Sequence, residues 1–178
     1  VTERGDKPLP PHLILVGLPG VGKTTIGRAA ARRLGRSFLD FDQEIERRSG
    51  MKVREIFRLK GEEHFRALEL ALTHELSSSG GMVLSPGGGW ITQPRSVELL
   101  RSAGRIIYLR ASPEAVARRL RRAETRPLLA GRDPVVALRE LYEKRRALYE
   151  TADVVLDTEG LVRQQLVTKV VEIGSTVK

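Results

Sequence analysis

Cysteine is absent from the 178 residues, which excludes a disulfide framework, a thiolate nucleophile, an iron–sulfur cluster and a sulfur-ligated zinc site. Histidine is scarce. His12, His64 and His74 are the three, and no two stand four residues apart, so no helical metal pair exists and structural or surface roles are expected. Aromatic residues make up 4%, few for a surface that stacks single-stranded bases on exposed rings. No apolar run approaches the roughly 20 residues that cross a bilayer. Val1 to Pro11 is polar and contains proline, lacks the apolar stretch of a secretory signal, and reads as a flexible N-terminal extension. A cytoplasmic protein with no membrane partner is the expectation.

Hydrophobic residues at 40% and charged residues at 30% lie in the globular range, and the length suits one domain spanning 1–178. Lysine and arginine together number 31 against 22 acids, a net charge of +9. Such an excess serves either a nucleic acid or a small polyanion, so the decision rests on particular positions.

From Leu13 onward short apolar runs alternate with longer helix-patterned segments, the rhythm of a parallel sheet built from βαβ units. Strands are expected at Leu13–Val16, Ser37–Leu39, Met82–Leu84, Ile106–Leu109 and Val154–Leu156. Helices are expected at Lys23–Leu34, Asp42–Ser49, Val53–Leu59, Glu62–Leu76, Pro94–Ser102, Pro113–Arg122, Pro134–Thr151 and Leu161–Ile173. Pro94, Pro113 and Pro134 each stand where a first helical turn opens, a place that tolerates a missing N–H.

Gly17-Leu18-Pro19-Gly20-Val21-Gly22-Lys23-Thr24 matches G-x-x-x-x-G-K-[ST] between a strand and a helix, the context in which backbone amides cradle phosphates. Lys23 would reach the β- and γ-phosphates and Thr24 would put its hydroxyl on Mg²⁺. No N-K-x-D segment occurs, which favours ATP over GTP, and the small size favours a metabolite kinase.

At the carboxyl end of the second strand stand Asp40 and Asp42. Continued strand geometry would turn both to one face, one towards Mg²⁺ through water and one towards an acceptor hydroxyl; the plainer alternative is a helix N-cap at Asp42. Arg66 precedes Glu69 by three residues, either as a clamp for an anion or as a surface ion pair. Arg145 falls in the apolar stripe of Leu138, Leu141, Tyr142, Leu148 and Tyr149, so it points inward, either to an internal carboxylate or to that of a substrate. Gly87-Gly88-Gly89 follows a strand at the same sheet edge and permits close backbone approach or a flexible turn.

With these elements in order, the chain resembles the shikimate kinase family from about Leu13 to the last helix. The phosphate loop is followed by D-x-D (Asp40-Phe41-Asp42), F-R-x-L-E (Phe65 to Glu69), the triple glycine, R-P-L-L (Arg126-Pro127-Leu128-Leu129) and R-x-x-L-Y (Arg145 to Tyr149). The resemblance implies a P-loop NTPase fold of α/β class, doubly wound, with a five-stranded parallel sheet in the order 2-3-1-4-5, helices on both faces and a mobile lid at about 123–134. It implies ATP- and Mg²⁺-dependent phosphorylation of the 3-hydroxyl of shikimate on the route to chorismate, by a monomer without a nucleic-acid partner. Nucleotide contacts would come from Gly20, Val21, Gly22, Lys23, Thr24 and Thr25, with Arg119 near the adenine and Arg126 over the phosphates. Asp42, Arg66, Gly88, Gly89 and Arg145 would meet shikimate. Asp42, Lys23 and Arg126 would carry catalysis, and Thr24 and Asp40 would hold the metal. A gluconate-type kinase, a ligand-sensing module that no longer turns over and a nucleic-acid binder are the competing readings.

Overall fold

The computed structural model of the protein describes residues 9–122 and 133–176, the side chains of 121 and 122 excepted. Five strands, β1 (His12–Val16), β2 (Phe38–Asp40), β3 (Val83–Ser85), β4 (Gly104–Arg110) and β5 (Val154–Asp157), form one parallel sheet in the order β2-β3-β1-β4-β5. That is the expected order. β1 lies at the centre and is buried at all five positions, as a strand covered on both faces must be. Its Leu13 pairs with Val83 on one side and Arg105 on the other, and Asp40 pairs with Ser85. The β1–β3–β2 side therefore brings three strand ends to one edge.

The connecting helices are α1 (Lys23–Leu34), α2 (Phe41–Ser49), α3 (Val53–Ser77), α4 (Pro94–Ala103), α5 (Pro113–Arg122), α6 (Pro134–Tyr149) and α7 (Arg163–Ser175). Their ends follow local chemistry. α1 stops at Gly35 and α2 at Gly50, both left-handed. The Asp133 side chain accepts from Val135 N and opens α6 with Pro134, so these two residues belong to a helix start and not to the expected 123–134 segment. The remainder of that segment, with Arg126, lies outside the described residues, as does most of the Val1–Pro11 extension. Pro10 is already tied to the domain, since its carbonyl accepts Gly81 N at 2.5 Å.

Val53–Leu59 and Glu62–Leu76 are two helices as expected, joined within α3 across a kink at Gly61, whose φ of 83° and ψ of 168° no helix contains. One expectation changes in detail. The second strand ends at Asp40 and α2 begins at Phe41, so strand geometry does not continue to Asp42.

Leu13, Ile14, Leu15, Leu84, Ile106 and Ile107 are wholly buried and form the centre of the core. His12 is buried too. Its Nδ1 accepts from Met82 N at 3.2 Å, which leaves Nε2 to donate to Leu76 O at 3.0 Å. One ring thus ties β1 to the end of α3 and the start of β3, the structural role expected of it. Among the described residues no helix is long and apolar enough to cross a membrane.

Candidate active site

Gly17, Gly20 and Gly22 adopt φ values of 145°, 83° and 110°, which turn the loop after β1 back on itself. Lys23 Nζ reaches across and donates to Gly17 O at 2.9 Å and Leu18 O at 3.0 Å, so the ammonium is held at the mouth of the loop. Thr24 Oγ1 donates to Asp40 Oδ2 at 2.7 Å. The other oxygen of Asp40 accepts from Gln43 N at 3.3 Å and caps α2. The N-cap is thus Asp40, while Asp42 sits in the first turn.

A hydroxyl and a carboxylate joined at the start of α1 suit Mg²⁺, a hard cation that takes oxygen ligands and keeps several waters. Among the described residues no group of three or more His, Asp or Glu side chains could hold a metal by itself. Water and phosphate oxygens would complete any such coordination.

Arg119, on α5, bridges the loop and the segment after β5. It donates to Val21 O at 3.3 Å, Thr158 Oγ1 at 3.2 Å and Thr158 O at 3.0 Å. Arg119 thereby sets Thr158 beside the phosphate loop. Thr158 is buried there.

The acceptor side is assembled from side chains. Arg66 donates to Glu69 Oε2 at 2.6 Å and to Glu62 Oε1 at 2.9 Å. This is no ordinary surface pair, because the Glu69 side chain is 0% exposed and that of Arg66 22%. Burial foremost pushes the Glu69 carboxyl above its usual range; Arg66 opposes that and the charge of Asp42 reinforces it. Arg145 points inward as expected. Its Nη1 donates to Gly88 O at 2.9 Å, a carbonyl that also accepts the Tyr149 hydroxyl at 3.1 Å. Tyr149 is itself stacked on Tyr108 of β4, ring centres 5.0 Å apart, so α6 is fixed to the sheet where Arg145 leaves it.

The triple glycine is the common wall. A methyl group on Gly87 would lie 3.0 Å from Asp42 Oδ1 and 3.0 Å from Glu69 Oε1. On Gly88 it would lie 3.4 Å from Arg145 Nη1 and 3.3 Å from Pro19 of the phosphate loop, and on Gly89 2.7 Å from the Arg66 Cζ. None of the three has positive φ. Close approach, and not a flexible turn, explains the glycines.

Asp42, Arg66, Gly88, Gly89 and Arg145 therefore converge, next to Gly20, Val21, Gly22, Lys23, Thr24 and Asp40. Thr25 is exposed on α1, one residue beyond the hydroxyl that meets Asp40. Sequence reasoning missed Gln93, whose Nε2 donates to Glu69 Oε2 at 2.8 Å, and the polar role of Tyr149. Gln93 stands before Pro94 and reads only as a helix boundary.

Residues 19–174 match the family model described as shikimate kinase. A protein named shikimate kinase from Thiobacillus denitrificans is 48% identical over 148 residues, 83% of this chain and 81% of that protein. A structure titled shikimate kinase from Acinetobacter baumannii in complex with shikimate superposes with a TM-score of 0.84 at 39% identity, covering 94% of this chain and 96% of that one. A gluconokinase from Sinorhizobium meliloti, at 16% identity, a TM-score of 0.62 and coverage of 95% and 96%, shares the fold alone.

Proposed function

The chain belongs to the shikimate kinase family, and from that premise we propose that it transfers the terminal phosphoryl group of ATP to the 3-hydroxyl of shikimate, giving shikimate 3-phosphate and ADP. The observation that carries this reading is the convergence of Arg66, Asp42 and Arg145 on one triple glycine that touches Pro19 of the phosphate loop. Two cations and two carboxylates face this shared wall, and with Glu69 paired to Arg66 the set fits an acceptor bearing a carboxylate and a hydroxyl.

Arg66 and Arg145 hold the carboxylate of shikimate, with Gly88 and Gly89 admitting the ring close to the backbone. Asp42 takes the proton of the 3-hydroxyl as its oxygen bonds to the terminal phosphorus and the bond to the bridging oxygen breaks. Lys23, held at the mouth of the loop by two carbonyls, neutralises charge that develops there. Gly20, Val21, Gly22, Thr24 and Thr25 line the nucleotide from the loop into α1 and Arg119 flanks the adenine; the family resemblance adds Arg126, outside the described residues, as the cation that would meet the phosphates. Mg²⁺, held by Thr24 and through water by Asp40, would supply neutralisation of the phosphate charges.

Shikimate-dependent ADP release by the purified chain with Mg·ATP tests the reading. Saturable release with shikimate and none with gluconate is expected; no release above the acceptor-free rate overturns it. The reading includes a cytoplasmic monomer with no nucleic-acid partner. Sedimentation at micromolar concentration should give a single species of about the 19.8 kDa of the chain.

A further inference from the structure

Between the triple glycine and α4 the chain makes a short 3₁₀ turn, Trp90–Thr92, which is pinned to α3 at two points. Trp90 Nε1 donates to Thr73 Oγ1 at 3.0 Å, and that hydroxyl donates to Glu69 O at 2.8 Å. Gln93 Nε2 donates to Glu69 Oε2 at 2.8 Å. The first pin ends on backbone. The second ends on the carboxylate oxygen that also receives Arg66.

Glu69 needs that second donor. Its carboxylate is fully buried, Oε1 has no hydrogen-bond partner among the described residues, and Asp42 Oδ1 stands with it against Gly87. A buried carboxylate left with too few donors protonates or turns away from its partner. Arg66 has a second carboxylate within reach, the exposed Glu62, four residues back along α3. Were Glu69 to let go, the guanidinium would follow Glu62 towards solvent and leave the Gly89 wall. A neutral amide suits the task, because it holds Glu69 without adding a further cation and leaves the positive charge of Arg66 for the substrate.

We propose that Gln93 is a positioning residue, which acts through Glu69 to keep the Arg66 guanidinium against Gly89 and so sets the affinity for the acceptor carboxylate. This rests on the function proposed above. Trp90 and Thr73, by contrast, join the same segments without touching the charged group and serve stability.

The test uses Gln93→Met, which keeps length and removes the donor, and Gln93→Ala in case the thioether packs badly. Trp90 is the sole tryptophan of the chain and adjoins Gly89, so its fluorescence follows shikimate binding without turnover. The wild type must first show saturable shikimate-dependent ADP release; failure there removes the proposed function and not merely this residue's role. Given that activity, Gln93→Met should raise both the KM and the Kd for shikimate about tenfold, with kcat and the KM for ATP within twofold. Thr73→Val should lower the melting temperature and leave the KM for shikimate within twofold. An unchanged KM in both Gln93 variants overturns the proposal, as does an equal rise in Thr73→Val, which would mark general loosening of the segment.

Discussion

The phosphate end and the acceptor end of the site are built by opposite means. Eight consecutive residues, Gly17 to Thr24, make the body of the first, joined by Asp40 and Arg119, and its loop is turned back on itself by three glycines of positive φ. The second draws single side chains from α2, α3, α6 and the β3–α4 connection onto a glycine wall with ordinary dihedrals. A polyanion can be met by a generic ring of N–H groups, whereas one small acceptor must be told from another by charges at fixed positions. Pro19 against Gly88 is where the two constructions touch.

Removing one charged group from each end gives the largest separation. Asp42→Asn should lower kcat by roughly 10²–10⁴ while the Kd for ATP, read by nucleotide titration, stays within twofold. Lys23→Ala should lower kcat and weaken ATP together. A matching loss of ATP affinity in Asp42→Asn would erase the distinction.

Next in size is Arg145→Ala. A hydrogen bond to a charged group contributes about 1.5–3 kcal/mol, so the KM for shikimate should rise by roughly ten- to a hundredfold with ATP little affected. An unchanged KM would leave Arg145 as a brace for Gly88 O and nothing more.

The glycines sharpen the contrast further. At Gly17 a Cβ would meet Leu109 O at 2.7 Å with φ at 145°, so Gly17→Ala strains backbone and should lower stability by about 1–3 kcal/mol in denaturant unfolding. At Gly89 the obstruction is the guanidinium of Arg66, a movable group. Gly89→Ala should therefore change stability by less than about 1 kcal/mol yet raise the KM for shikimate severalfold. Equal destabilisation by both changes would show that the glycine wall is also held by strain.

The smallest effect concerns pH. Glu44, hydrogen-bonded to Arg47 and Arg48, is held down at about 2 against an ordinary 4.5, so its contribution is present above 4.5 and lost as pH falls towards 2. Its partners are largely exposed, which limits the contribution to below about 1 kcal/mol. Glu69, raised chiefly by burial, works in the opposite sense: its contribution is full below 4.5 and is lost as pH rises through its higher folded value. Unfolding of Glu44→Gln should match the wild type near pH 2 and fall slightly short above 4.5. A deficit that grows towards acid would contradict the sign.

The same contrast explains what could be read without a structure. The phosphate loop is contiguous, so its spacing alone carries its chemistry. Asp42 was legible as a residue type but not in conformation, because a capping Asp40 and a strand ending at that residue look alike until the Gln43 N bond is seen. Arg145 shows itself by lying in an apolar stripe, yet its partner is a carbonyl 57 residues away, and no spacing rule finds a carbonyl. Gln93 was hidden altogether, since a glutamine before proline has local meaning sufficient to conceal a long-range bond.

The parallel pairing of the sheet has a consequence for how this protein acquires its activity during folding. Every strand meets neighbours that are distant in the chain: Leu13 must find both Val83 and Arg105, and Asp40 must find Ser85. Loop-closure entropy must be overcome before any of these pairings is rewarded, so the centre of the sheet closes late and slowly. Thr24 reaches Asp40 only when β2, β3 and β1 stand in register. Ligand energy is thus withheld from half-assembled chains and stabilises only those whose sheet is complete.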